Sequence, residues 1–213
     1  MKNILCFGDS NTWGYVPLLR RRYTEKERWP MRMAEALGNG YHVIEEGLNG
    51  RTTAFTDYLE PYRNALDYAA PCMISHAPLD FVIIMLGSND TKIRYHVSAQ
   101  EITDGMENLI KKMRFYYPAD KYPLLPQILL AAPGPLFPAE TETSFDASST
   151  DKILLLPKTY EALSKKLDCL FFSAQAILTE KDLGGDGVHL TKEGHGKLAT
   201  AFTDIILKYF RDR

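Results

Sequence analysis

The sequence predicts an α/β protein, a single domain in which helices cover both faces of a five-stranded parallel sheet. Three observations predict it. Apolar runs of strand length alternate with segments of helical spacing along the whole chain, as successive βαβ units require. The run Phe81-Val82-Ile83-Ile84-Met85-Leu86 is apolar throughout, as a strand buried on both faces must be. The 213 residues, 45% hydrophobic and 24% charged, suffice for one sizeable core, and no internal repeat or low-complexity linker divides them.

The elements follow in chain order. Strand one spans about Lys2 to Phe7 and breaks at Gly8. Trp29 to Leu37 carries Trp29, Met33, Ala36 and Leu37 at helical spacing, and Gly38 ends it. Strand two is Tyr41 to Glu46, centred on Val43 and Ile44. Ala54 to Asn64 reads as an irregular excursion, and Ala65 to Ser75 as a helix interrupted at Pro71. Strand three is Phe81 to Leu86. Ser98 and Glu101 form a capping box for a helix from Ala99 to about Tyr116, with an apolar stripe of Ile102, Met106, Leu109, Ile110 and Met113. Strand four is Gln127 to Ala132, and the prolines from Pro133 to Pro138 force a turn-rich loop. A helix from about Ser149 to Leu167 should be kinked or split at Pro157. Strand five is Leu170 to Phe172, and Thr191 caps a last helix ending near Phe210. Right-handed crossovers then suggest the flavodoxin-like strand order 2-1-3-4-5, giving a three-layer α/β/α sandwich.

Composition excludes some classes. A formal net charge of −2 gives no electrostatic case for nucleic acid or an anionic membrane surface. Arg20-Arg21-Arg22 reads as a solvated loop, soon diluted by Glu25 and Glu27. Three cysteines, Cys6, Cys72 and Cys169, make no disulfide framework and fit reduced thiols. A strand starting at about Lys2 leads to the expectation of no signal peptide, and no apolar run is long enough to span a bilayer. The expected location is the cytoplasm.

The chemistry is concentrated at the carboxyl ends of the strands, where ligands bind in open α/β sheets. Ser10 follows strand one directly, placed as a nucleophile that needs a base. Of five histidines, His42 reads as a half-buried sheet residue, His76 and His96 as structural or solvated, and His195 as solvent-facing in the last helix. His189 differs because Asp186 precedes it by three residues, with Gly187 between them to allow a tight turn. In such a turn the carboxylate can hold one ring nitrogen and leave the other facing Ser10, as a serine triad requires. Acyl transfer also needs donors for an oxyanion. Gly50 follows strand two and Asn89 follows strand three. With order 2-1-3, the Ser10 and Gly50 N–H groups and the Asn89 amide converge. Taken singly, Gly50 also reads as a turn glycine and Asn89 as an Asx-turn residue. Asp9 and Asp90 read as hydrogen-bonded loop structure. Arg51 either meets a polar substrate or braces its loop. Trp13 and Tyr15 either wall a pocket beside the nucleophile or pack beneath the loop, the pocket being preferred for their proximity; Phe137, on the proline-rich loop, is a further pocket candidate.

Gly8-Asp9-Ser10, the Gly50 segment, Gly87-Ser88-Asn89-Asp90 and Asp186-Gly187-Val188-His189 together resemble the four blocks of the SGNH, or GDSL-type, hydrolases, in the same order and across nearly the whole chain. Phe7 to Pro17, Glu45 to Thr53 and Val82 to Thr91 resemble most the arylesterase/acyltransferase (mycobacterial perhydrolase-like) branch. The resemblance implies one domain over residues 1–213, with Ser10 as nucleophile, His189 as base and acid, and Asp186 as orienting carboxylate. It implies an oxyanion hole of Ser10, Gly50 and Asn89, no metal and no cofactor. The fourth residue of the first block is Asn11 rather than leucine, which points to an altered pocket at Asn11.

The expected function is hydrolysis of short-chain acyl esters through an acyl-enzyme, with acyltransferase or perhydrolase side activity when an alcohol or peroxide replaces water. A carbohydrate O-acetyl esterase would use the same residues on an acetylated sugar. A non-catalytic, flavodoxin-like module holding a small phosphate ligand is the alternative of another class. The first loop lacks a glycine-rich phosphate motif, and Asp9 would repel the anion. The resemblance further implies a homo-oligomer whose neighbouring subunits narrow the entrance, with residues 54–78 and 133–148 as the segments where pocket and contacts diverge.

Overall fold

The computed structural model describes residues 1–212. Strand β1 (Lys2–Gly8) is an interior strand of a five-stranded sheet, followed by a single helical turn, α1 (Ser10–Trp13). Two short strands, β2 (Tyr15–Val16) and β3 (Arg21–Arg22), form an antiparallel hairpin. Then come α2 (Trp29–Leu37), β4 (Tyr41–Gly47), α3 (Ala65–His76), β5 (Phe81–Met85), α4 (Ala99–Tyr116), β6 (Gln127–Ala132), α5 (Ala147–Lys166), β7 (Leu170–Ser173) and α6 (Lys192–Arg211). The sheet order is β4-β1-β5-β6-β7 and every pair is parallel, which is the 2-1-3-4-5 order expected from sequence.

Strand alternation builds two cores. Leu5, Phe7, Val82, Ile84, Ile128 and Leu130 face α3, α4 and α5. Ile4, Cys6, Phe81, Ile83, Leu129 and Ala131 face α2 and α6. The β1–β4 register runs from Lys2 opposite Tyr41 to Gly8 opposite Gly47, so both strands end at one level, beneath α1. A Cβ on Gly47 would lie 2.2 Å from the Trp13 backbone nitrogen, so only glycine lets the end of β4 pass so close to the α1 turn.

Several expectations need correction. The arginine run is not a plain loop: exposed Arg21 and Arg22 pair with Val16 and Tyr15, and Arg22 Nε donates to the Trp13 carbonyl at 2.6 Å. Pro157 does not split α5, which runs unbroken from Ala147 to Lys166. Proline at 157 leaves the Ile153 carbonyl without its helical donor. The side-chain amide of Gln175 donates to that carbonyl at 2.8 Å and satisfies it. Pro71 likewise lies inside a continuous α3. His195 does not face solvent. It shares a helical face with Leu198, Ala199 and Phe202, is fully buried, and accepts from the Trp29 N–H through Nδ1 at 3.3 Å. Burial pushes its pKa down to about 3, chiefly by desolvation of the charged ring.

Candidate active site

Four loops leave the carboxyl ends of the strands and meet over the sheet. The first begins at Asp9, whose side chain accepts from the Asn11 N–H at 2.9 Å and caps α1, holding Ser10 at its first position. The last is a turn closed by a bridge between Leu183 and Leu190. In it, Asp186 Oδ1 accepts from the N–H groups of Val188 and His189, each at 3.0 Å, and Oδ2 stands 2.9 Å from His189 Nδ1. His189 Nε2 then lies 3.0 Å from Ser10 Oγ. The carboxylate, imidazole and hydroxyl thus form one continuous relay. Burial opposes ionisation of Asp186, but the hydrogen bonds from the His189 ring and backbone and from Val188 outweigh it and hold its pKa below the usual carboxylate range.

Gly187 fixes that turn. Its φ is +68°, and a Cβ there would come within 1.6 Å of the Phe137 carbonyl oxygen. The Phe137 N–H donates to the Gly187 carbonyl at 2.9 Å, so the proline-rich loop clamps the turn through its backbone.

The loops after β4 and β5 are tied together behind the serine. Arg51 is buried and donates through Nη1 to the Gly8 carbonyl at 2.9 Å and to the Glu46 carbonyl, with its guanidinium over the Phe7 ring. The Arg51 carbonyl accepts from Asn89 Nδ2 at 3.1 Å, which fixes the amide plane and leaves its second N–H free to donate. Asp90 Oδ1 accepts from the Thr53 N–H at 2.8 Å and its hydroxyl at 2.5 Å, locking the same two loops. Burial pushes both Asp9 and Asp90 up to about 6, partly countered by these hydrogen bonds. Both aspartates act as loop structure here, as expected from sequence.

Ser10, Gly50, Asn89, His189 and Val188 line one cavity of about 220 Å³. Of the expected pocket residues only Tyr15 joins them, its ring centroid 4.3 Å from that of His189. Trp13 is half-buried under the Arg22 guanidinium, beside Tyr15, and does not line the cavity. Arg51 is a brace and lies behind the cavity rather than in its wall. Phe137 contributes its backbone and turns its side chain outward. Asn11 does not line the cavity. Its Oδ1 accepts from the Leu190 N–H at 2.9 Å and its Nδ2 donates to the Val188 carbonyl at 3.3 Å, so it joins the serine turn to the histidine loop. Leucine could make neither bond, which gives this departure a structural role.

The rest of the wall was not foreseen: Asn49, Glu60, Arg63, Lys92, Glu142, Ser144 and Phe145. Lys92 Nζ meets Glu60 Oε2 at 3.3 Å. Most of these residues come from the two irregular stretches that were expected to vary, but no motif marks them individually. Glu46, Cys72 and His76, the one cluster of metal-ligating side chains among the described residues, lies outside this cavity.

Comparison with known proteins adds the following. Residues 6–197 match the model of the GDSL-like Lipase/Acylhydrolase family. An acetylxylan esterase of Xylanibacter ruminicola is 28% identical in an alignment 209 residues long that covers 92% of this chain and 41% of that protein, so the chain spans less than half of this relative's length. Est24, a carbohydrate acetylesterase from Sinorhizobium meliloti, superposes with a TM-score of 0.90 at 37% identity, covering 98% of this chain and 100% of that one. The native aryl esterase of M. smegmatis gives 0.89 at 34% identity, covering 98% and 99%.

Proposed function

Because the chain belongs to the GDSL-like lipase/acylhydrolase family, we propose that it is a carboxylic ester hydrolase acting on small, short-chain acyl esters, with Ser10 as its nucleophile. The observation that carries this reading is the relay from Asp186 through His189 to Ser10, with 2.9 and 3.0 Å between partners, opening on a cavity that also holds Gly50 and Asn89.

The reaction runs in two halves. Ser10 Oγ attacks the ester carbonyl carbon while His189 Nε2 takes its proton, and Asp186 holds the imidazolium through Nδ1–H. The N–H groups of Ser10 and Gly50 and the Asn89 amide receive the oxyanion. Collapse breaks the bond to the leaving oxygen, to which His189 returns the proton, and the acyl group stays on Ser10. A water that gives its proton to His189 attacks the acyl-enzyme, and the acid leaves as Ser10 is reprotonated. An alcohol or peroxide in the place of water gives acyl transfer. The chemistry needs neither metal nor organic cofactor. A 220 Å³ cavity with a largely polar wall favours a short acyl group.

A carbohydrate O-acetyl ester is the second reading. The side chains of Asn49, Glu60, Arg63, Lys92, Glu142 and Ser144 offer donors and acceptors for the hydroxyls of a sugar leaving group. The names of the Xylanibacter and Sinorhizobium proteins point the same way.

The chain works as one domain and as a homo-oligomer in this reading, with the exposed Tyr58, Leu59 and Tyr62 as contact residues near the cavity. A cytoplasmic location fits the three free thiols; no helix among the described residues is long and apolar enough to cross a membrane. Intact-protein mass spectrometry during turnover of p-nitrophenyl acetate tests the mechanism: a transient gain of one acetyl group, mapped to Ser10, is expected. Steady turnover with acetate on any other residue contradicts it. Comparing acetylated xylo-oligosaccharides with aryl acetates by kcat/KM separates the two substrate readings.

A further inference from the structure

Behind the loop that carries Gly50, the end of β4 faces the last turns of α3. Cys72 and His76 are four residues apart on α3 and so share one helical face, which meets Glu46. The ligand atoms of the three residues lie within 4.8 Å of one another, with His76 Nε2 at 2.7 Å from Glu46 Oε1. Cys72 is buried, whereas Glu46 and His76 are partly open. A groove of about 720 Å³, lined by Glu46, Arg51 and Tyr68 among others, opens the Glu46 side of the cluster to solvent. Ester hydrolysis uses none of these three side chains directly.

A thiolate, an imidazole and a carboxylate form a donor set for a borderline-soft divalent cation, and three protein ligands with an open fourth position make a common zinc geometry. We propose that Glu46, Cys72 and His76 bind one such cation, Zn²⁺ being the reference ion, with water from the groove as the fourth ligand, and that its binding slows the enzyme. Ligand atoms around tetrahedral zinc stand roughly 3.5 Å apart, given Zn–S and Zn–N distances of about 2.3 and 2.0 Å. From their widest separation the ligand atoms therefore close by about an ångström, while His76 Nε2 and Glu46 Oε1, 2.7 Å apart, move slightly apart, motions that the partly open His76 and Glu46 allow. Binding releases the Cys72 thiol proton to solvent and replaces the hydrogen bond between His76 and Glu46.

Arg51 sets the character of the site. Its guanidinium lies 3.8 Å from Glu46 Oε2, and this fixed positive charge keeps cation affinity modest and exchange reversible. Arg51 also ties the cluster to the oxyanion loop, since it donates to the Gly8 and Glu46 carbonyls and its own carbonyl holds Asn89. A cation on Glu46 competes with Arg51 for that carboxylate and so loosens the support of Asn89. The inhibitory part rests on the esterase reading, whereas the binding part does not.

The test uses the whole protein freed of metal by chelator, with Cys72→Ser and His76→Gln beside it. Calorimetric titration with ZnCl₂ should show one ion per chain in the wild type and at least about tenfold weaker binding in either variant. CoCl₂ should produce a thiolate-to-cobalt charge-transfer band that Cys72→Ser abolishes. Zn²⁺ should slow hydrolysis of p-nitrophenyl acetate by the wild type, reversibly with EDTA, and leave both variants at their basal rate. His76 is partly exposed, so His76→Gln decides the matter if Cys72→Ser does not fold. Stoichiometric binding that is equal in wild type and His76→Gln, or no binding at all, overturns the site. Binding that leaves the wild-type rate unchanged overturns the inhibition. A protein inactive on every ester defeats the esterase reading while the calorimetric and cobalt results still judge the site.

Discussion

At the residue scale the site separates groups that would meet substrate from groups that hold them in place. Asn89 belongs to the first kind in the proposed mechanism, its amide plane fixed by the Arg51 carbonyl. Asn89→Ala should lower kcat by about 10²–10³ with little change in KM, as for loss of one oxyanion donor, and steady-state kinetics on p-nitrophenyl acetate would show it. An unchanged kcat removes Asn89 from the hole. Asp9 belongs to the second kind, and burial raises its pKa to about 6. In the unfolded chain the group titrates near 4. The native state therefore holds more protons than the unfolded state between about pH 4 and pH 6, and stability falls as pH rises through that window. Two units correspond to roughly 3 kcal/mol. Asp9→Asn keeps a capping side chain but has no charge to bury. It should be more stable than wild type in urea at pH 7.5 and equal to it near pH 4. A difference that does not change with pH contradicts the account.

At the scale of elements, the strands were legible in the sequence because β1, β5 and β6 are buried on both faces and so read as unbroken apolar runs. The β2–β3 hairpin was not, because two residues per strand carry no period and the charges of Arg21 and Arg22 suggest a loop. Pro157 misled because its missing hydrogen bond is compensated by Gln175, a contact between distant parts of the chain that local sequence does not encode. The positions of Ser10, Gly50, Asn89, Asp186 and His189 were legible because each follows a strand end whose order the pattern implied. The cavity wall was not, because Glu60, Arg63, Glu142 and Ser144 stand on irregular segments whose course is set by tertiary packing. The turn from Gly184 to His189 depends on one residue. Gly187→Ala forces a side chain into a left-handed conformation against the Phe137 carbonyl. It should cost about 1–3 kcal/mol in urea unfolding and remove most esterase activity at temperatures where the protein stays folded. Wild-type stability in this variant would contradict the described turn.

At the scale of the whole molecule, a chain with little net charge presents exposed Tyr58, Leu59 and Tyr62 on one irregular segment. Grouped exposed apolar side chains of this kind commonly mark contact surfaces. Multi-angle light scattering should therefore give a mass that is a multiple of the single chain, and a monomer at working concentration contradicts the proposed assembly. The central claim is narrower: four loops, brought together by the 2-1-3-4-5 sheet order, make Ser10 a nucleophile for ester carbonyls. The measurement that tests it most directly is hydrolysis of a chain-length series of p-nitrophenyl esters by wild type and Ser10→Ala, with circular dichroism to confirm that both are folded. The account predicts turnover highest on acetate and a loss of at least about 10⁴-fold in the variant. A folded Ser10→Ala protein that keeps wild-type turnover would contradict it.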